Sequence, residues 1–308
     1  MHPQMPLNRA NLAGILWMIA SMAGFAVEDA FIKTATKQIP VGQVLILFGA
    51  GGAILFAYLA RRGGASLLTA QVVSKVMLIR ALFELVGKLF YTLAIAFTPL
   101  SSATVVLQTT PIIVVLGAMA FFGEDVGWRR WCAIGTGLIG VLIILRPAAN
   151  DFSALSLLAL VGTIGFAGRD LASRAAPASL TTWVLGLYGY LTVFVAGALF
   201  SCWDSKTFLW PTLANAMAMT VALGAGIFAY VALMKAMRTG SISAVTPFRY
   251  TRIIFGITLG AAIFGERPDE PMILGCVVII ASGLFIWWHG KVSANPDLQT
   301  SIGRGPMD

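Results

Sequence analysis

Histidine is almost missing from this chain. Its 308 residues contain two, His2 and His289, one at each extreme. No His-x-x-x-His metal pair and no histidine-based triad can therefore form along the stretch between them. Cysteine is scarce as well. Cys132, Cys202 and Cys276 are too few and too scattered for a disulfide framework or a cysteine-rich metal site, and they read as small core residues. No Gly-x-Ser-x-Gly occurs, and Gly87-Lys88 lacks the upstream glycine of a phosphate-binding loop. These absences argue against a membrane enzyme and against ATP coupling within this chain, and no cofactor or metal is expected.

Charge is the other shortage. Only 11% of residues are Asp, Glu, Lys or Arg, where a soluble domain carries roughly 25%. In its place stand 58% hydrophobic residues and a mean hydropathy of +0.86. The apolar runs Leu12 to Val27, Val41 to Ala60, Ala103 to Phe122, Trp131 to Leu145 and Ile273 to Trp288 approach or reach the roughly 20 residues that cross hydrocarbon. None alternates with the period of a membrane β-barrel strand. The fold class expected is an all-α integral membrane protein embedded in a lipid bilayer.

Gly, Pro and charged breaks divide the chain into about ten transmembrane helices, at 11–33, 41–60, 74–97, 102–122, 131–146, 153–173, 181–201, 213–235, 243–264 and 271–289. The first run is longer than a signal sequence and ends in acids, so it reads as an uncleaved span. The polar tail 290–308 is expected to be a flexible cytoplasmic segment. The net charge of +8 reflects loop bias rather than nucleic-acid binding. With a cytoplasmic N-terminus, Arg9, Arg61, Arg62, Lys75, Arg129, Arg130, Arg174, Lys235, Arg238, Lys291 and Arg304 fall inside. Lys33, Lys37, Arg146, Lys206 and Arg267 fall outside, which favours both termini in the cytoplasm.

The sequence also repeats itself. "GFAVEDAFIK" from Gly24 returns as "GFAGRDLASR" from Gly165: a shift of 141 lays Asp29 on Asp170 and Lys33 on Arg174. A shift of 142 lays Phe122-Gly123-Glu124 on Phe264-Gly265-Glu266 and Ser101 on Ser243, and 143 lays Gly140 on Gly283. Each half, 11–146 and 153–289, holds five spans. An odd number makes the second half enter the membrane from the opposite side, so two inverted five-helix repeats are expected, a foundation for alternating access. A channel would not predict that duplication.

The stretches "TPLSSATVVLQTTPIIVVLGAMAFFGEDVGWRRW" and "SAVTPFRYTRIIFGITLGAAIFGERPD", with Gly-Glu after each fourth span and a glycine-rich fifth, resemble the EamA branch of the drug/metabolite transporter superfamily. The resemblance covers about residues 11 to 289. It implies a ten-helix carrier of the bacterial inner membrane with a central cavity and a small-molecule substrate, and a homodimer is compatible with it. Family members move amino acids, nucleotide-sugar-like metabolites, S-adenosylmethionine or riboflavin, some outward and some inward.

Ionisable groups inside a membrane are costly, so they mark pathways or paired structure. Arg80, Glu84 and Lys88 lie four residues apart on one helical face and form either a ladder or a cavity wall. Span nine carries Pro247, Arg249, Tyr250 and Arg252, and proline-broken helices mark carrier binding sites. Gln108, Thr109 and Thr110 precede Pro111 at an interior kink and are candidate cavity liners. Arg80, Glu84, Lys88, Gln108, Arg249, Tyr250 and Arg252 are thus the substrate-binding or pathway candidates. Glu28, Asp29, Lys33, Asp170 and Arg174 are the gate or coupling candidates, with Asp29–Lys33 and Asp170–Arg174 also spaced for local salt bridges. Glu124 and Glu266 read as structural loop residues, the latter near Arg267. Phe25, Phe166, Trp17, Tyr91 and Trp183 line the pathway or pack the core.

Buried anions and cations near balance, with a slight positive surplus, suit an anionic or zwitterionic substrate. The expectation is a secondary transporter of a small, amino-acid-like polar metabolite. Uptake of riboflavin or of an adenosyl compound such as S-adenosylmethionine is the alternative.

Overall fold

In hydrocarbon every backbone N–H and C=O must find an internal partner, and helices meet that demand within one segment. The computed structural model describes residues 9–122, 128–145, 155–177, 179–204, 206–239 and 246–290, and among them it contains helices and no strand. Residues 291–308, expected to be a flexible tail, lie outside the described residues, as does Glu124.

The helices are α1 (Arg9–Thr36), α2 (Val41–Arg62), α3 (Lys75–Phe97), α4 (Leu100–Leu107), α5 (Thr110–Phe122), α6 (Trp128–Leu145), α7 (Ser156–Arg174), α8 (Thr182–Asp204), α9 (Leu213–Thr239), α10 (Thr251–Phe264) and α11 (Glu270–Gly290). Short 3-10 turns cover Ala70–Val73 and Thr246–Tyr250. By length and composition α1, α2, α8 and α9 are each apolar enough to cross a bilayer. Pro40 and Pro99 stand at the entries of α2 and α4, where a missing N–H leaves no intrahelical bond unmade.

The fourth span of the first half is broken, and the described part of its counterpart in the second half opens on a 3-10 turn. Pro111 has no N–H and its ring crowds the carbonyl of Leu107, so the helix stops at Leu107 and resumes at Thr110. The Thr109 hydroxyl donates to the Val106 carbonyl at 2.8 Å, and the Thr110 hydroxyl donates to Leu107. Two residues expected as cavity liners thus satisfy carbonyls that the break uncovers. In the second half the 3-10 turn Thr246–Tyr250 passes into α10 at Thr251. At the 142-residue shift, Tyr250 and Thr251 correspond to Gln108 and Thr109, so this 3-10 to α-helix junction falls where the first half breaks.

Helices pack mainly across the halves: α1 on α9, α2 on α8, α3 on α7, α4 on α10 and α6 on α11. Close crossing is possible because glycines stand at the contacts, facing side chains or, in places, another glycine. A Cβ added to Gly165 of α7 would lie 2.3 Å from the Gly87 nitrogen of α3. The main core gathers Ile32, Val44, Leu45, Phe48, Tyr91, Ile95, Leu100 and Val106. Cys276 is buried as expected of a small core residue, whereas Cys132 and Cys202 are exposed.

Candidate functional site

The charges of the interior are arranged as three ion-paired clusters between helices of opposite halves. The first lies at the ends of α1, α3, α4 and α10. Gly265 ends α10 in the left-handed region, at φ 67°, which an L side chain rarely adopts. The turn brings the Glu266 amide back to the Gly260 carbonyl at 3.1 Å and carries its carboxylate over the start of α4. There it accepts from the Leu100 amide at 2.6 Å, the Ser101 amide at 2.9 Å and the Ser101 hydroxyl. Lys33 donates to the Ile95 carbonyl at 3.0 Å and to Thr98, and sits 3.7 Å from Glu266. An anion caps a helix start and a cation a helix end, each matched to the local dipole. Phe264 adds a ring 4.5 Å from Lys37.

The second cluster is central. Glu28 of α1 pairs with Lys88 of α3. Asp29 accepts from Arg252 of α10 at 2.6 Å and from the Tyr91 hydroxyl at 3.1 Å. Arg252 also lies 5.0 Å from the Phe25 ring centre, and Lys88 4.5 Å from that of Phe48. The Nε of Arg252 and the hydroxyl of Tyr250 are buried without a hydrogen-bond partner. Tyr250 packs with Val105, Ile253, Met272, Cys276 and Ile279.

The third cluster joins α3, α7 and the 3-10 turn. Glu84 lies 3.7 Å from Arg80 and 3.3 Å from Arg169. Arg169 donates to one oxygen of Asp170 at 2.8 and 3.1 Å, while Arg249 approaches the other at 3.6 Å. Arg80 is steadied by the Ser173 hydroxyl at 2.8 Å. Arg169 lies 4.9 Å from the Phe166 ring.

These pairings revise several local expectations. Asp29 reaches Arg252, and Lys33 reaches Glu266, so the four-residue spacing of Asp29 and Lys33 is not used for a salt bridge. Asp170 pairs with Arg169 and Arg249, and the Arg174 side chain lies outside the described residues. Only the Arg80–Glu84 rung of the α3 ladder forms; Lys88 turns to Glu28 instead. Glu266 works through the start of α4 rather than through Arg267, which is exposed. Gln108 is buried at the α4–α5 break. Of the aromatic candidates, Trp17 lies under Lys235 at 4.5 Å and Trp183 packs on Phe56 at 6.1 Å.

Sequence reasoning missed Tyr190 and Tyr230. Both pack on Phe56, with ring centroids 5.3 Å away in each case. The ring of Tyr190 fills the notch where Gly52 has no side chain. The spacing Phe48-x-x-x-Gly52-x-x-x-Phe56 was the available signal.

Among the described residues, six cations of the three clusters (Lys33, Arg80, Lys88, Arg169, Arg249, Arg252) face five carboxylates (Glu28, Asp29, Glu84, Asp170, Glu266), a surplus of one positive charge. Buried ions are costly in a membrane, and here they stand paired between the helices of a multi-pass membrane protein.

The comparisons with known proteins agree with that class. The model of the EamA-like transporter family matches residues 12–146 and 153–288, and the chain belongs to that family. Over 288 residues it is 25% identical to the S-adenosylmethionine uptake transporter of Rickettsia conorii, covering 93% of this chain and 96% of that one. Identity is 27% over 299 residues to the riboflavin transporter of Vibrio cholerae, covering 94% and 98%. The pseudopaline exporter CntI of Pseudomonas aeruginosa is 25% identical over 272 residues, covering 88% and 94%. A solved crystal structure superposes with a TM-score of 0.59 at 16% identity, covering 92% of this chain and 99% of that one, and shares the fold.

Proposed function

We propose that this protein is a secondary carrier that moves a small anionic or zwitterionic metabolite across the bacterial inner membrane by alternating access. Its two five-helix halves, 11–146 and 153–289, are inverted repeats with both termini in the cytoplasm. The observation that carries this reading is the 3-10 turn Thr246–Tyr250 and its junction with α10, which bring Arg249 and Arg252 into the buried charge clusters. Irregular turns of this kind expose backbone and side-chain groups where a carrier holds its substrate. The packing of α1 on α9, α2 on α8 and α3 on α7 supports the inverted arrangement, because exchanging the halves leaves the set of pairs unchanged.

The pathway runs along Arg80, Glu84, Lys88, Gln108, Arg249, Tyr250 and Arg252, with Glu28, Asp29, Lys33, Asp170 and Arg174 in gating or coupling. An amino-acid-like substrate suits alternating cations and anions, whose ammonium and carboxylate partners are already spaced along α1 and α3. Riboflavin or an adenosyl compound is the second reading. It is favoured by the rings beside the charges, Phe25, Phe48, Phe166, Tyr190 and Tyr230, and by the names of two of the relatives.

Counterflow in proteoliposomes tests the carrier reading. Vesicles preloaded with an unlabelled compound should transiently accumulate the same labelled compound above equilibrium, with saturation. Amino acids, S-adenosylmethionine and riboflavin form the panel. Linear, non-saturating equilibration of a permeant compound would point to a channel. No uptake of any kind would remove support for transport of these classes.

A further inference from the structure

The surplus positive charge is not spread evenly. The central cluster balances Lys88 and Arg252 against Glu28 and Asp29, and the helix-end cluster balances Lys33 against Glu266. The third sets Arg80, Arg169 and Arg249 against Glu84 and Asp170, so the extra cation resides there. Accessibility singles out the same place. The side chains of Arg169, Asp170 and Arg249 are 26%, 25% and 30% exposed, whereas no other member of the three clusters exceeds 14%. Asp170 holds the two guanidinium groups with separate oxygens, and the contact to Arg249 is long, at 3.6 Å. Arg249 sits on the 3-10 turn that leads into α10.

We propose that Arg169 and Arg249 form the oxyanion subsite of the carrier, and that Asp170 is a tethered carboxylate which the carboxylate or phosphate of the substrate displaces from Arg249. The inference rests on the carrier reading and adds to it the place and the competitor. A guanidinium offers two parallel N–H donors to such an anion. Asp170 occupies Arg249 when the site is empty, which avoids leaving like charges unpaired. Because it competes, its removal strengthens anion binding while removal of Arg249 weakens it. A residue needed only for structure would not give opposite signs.

Inorganic phosphate is the probe. The full-length protein in neutral detergent is titrated with phosphate, with chloride adjusting ionic strength, and the unfolding midpoint yields a Kd. Wild type is expected to be stabilised by phosphate beyond chloride. Arg249→Gln should weaken phosphate at least about tenfold and Asp170→Asn should tighten it several-fold. If Asp170→Asn does not purify as a folded species, Asp170→Ser keeps an acceptor for Arg169 without the charge and carries the same expectation. An unchanged or weaker Kd on removing the Asp170 charge, or an unchanged Kd in Arg249→Gln, overturns the proposal. So does the absence of any phosphate effect on wild type. Stabilisation by phosphatidylglycerol micelles but not by phosphate would assign the pair to a lipid headgroup and overturn it as well. Counterflow by wild type with any of these negative outcomes would sink the subsite alone, while its absence across the whole panel speaks against the carrier.

Discussion

Lys88 and Glu28 illustrate what single residues do in this interior. Each side chain is about a tenth exposed or less, 10% and 5%, and neither has water to fall back on. Lys88→Met leaves the Glu28 carboxylate buried without its cation, which costs about 3–5 kcal/mol. The double change Glu28→Gln with Lys88→Met removes both charges and should recover most of that loss. Thermal unfolding of the two variants in detergent decides it, and equal damage in both would mean that the unpaired Glu28 charge is not the source of the loss. The presence of these ions was legible in the sequence, because charges in an apolar run stand out. Their partners were not. Four-residue spacing suggested Asp29 with Lys33, yet Asp29 meets Arg252, 223 residues away. Partners in a bundle are chosen by which helices pack together, and α1 contacts α10 as well as α9.

At the scale of elements, the break between α4 and α5 and the 3-10 turn before α10 were readable from Pro111 and Pro247, since proline's effect on a helix is local. The role of Glu266 was not. A Gly-Glu pair after a span reads as a loop, and only the tertiary contact shows a carboxylate capping the start of another helix, α4. Glu266→Gln keeps the shape but loses the charge that holds the Leu100 and Ser101 amides and faces Lys33. Faster hydrogen exchange is expected across residues 98–107, by roughly tenfold for about 1.4 kcal/mol of lost capping, with α8 unaffected. Uniform acceleration across α4 and α8 would indicate global destabilisation instead of a lost cap. Tyr190 escaped sequence reading for a related reason: an aromatic residue on an apolar helix is ordinary until a facing glycine, here Gly52, shows what it fills.

For the whole molecule, the duplication was legible because Asp, basic and Gly-Glu positions recur at shifts of 141 and 142 residues, beyond what a small apolar alphabet produces. The pairing of α1 with α9, α2 with α8 and α3 with α7 then joins helices that lie far apart in the sequence. The one-charge surplus among the described residues has a consequence for energetics in a living membrane under the alternating-access reading proposed above. An elementary charge moved across 100 mV is worth about 2.3 kcal/mol, so on that reading the empty protein, with its extra cation, would turn in response to voltage. A bound monoanion would cancel that charge and make the loaded step electrically silent. Currents recorded from proteoliposomes on a solid-supported membrane should therefore arise from the return of the empty protein, and Arg249→Gln should diminish them. The membrane potential would then set how quickly the unloaded protein resets, while the substrate gradient alone drives the loaded crossing.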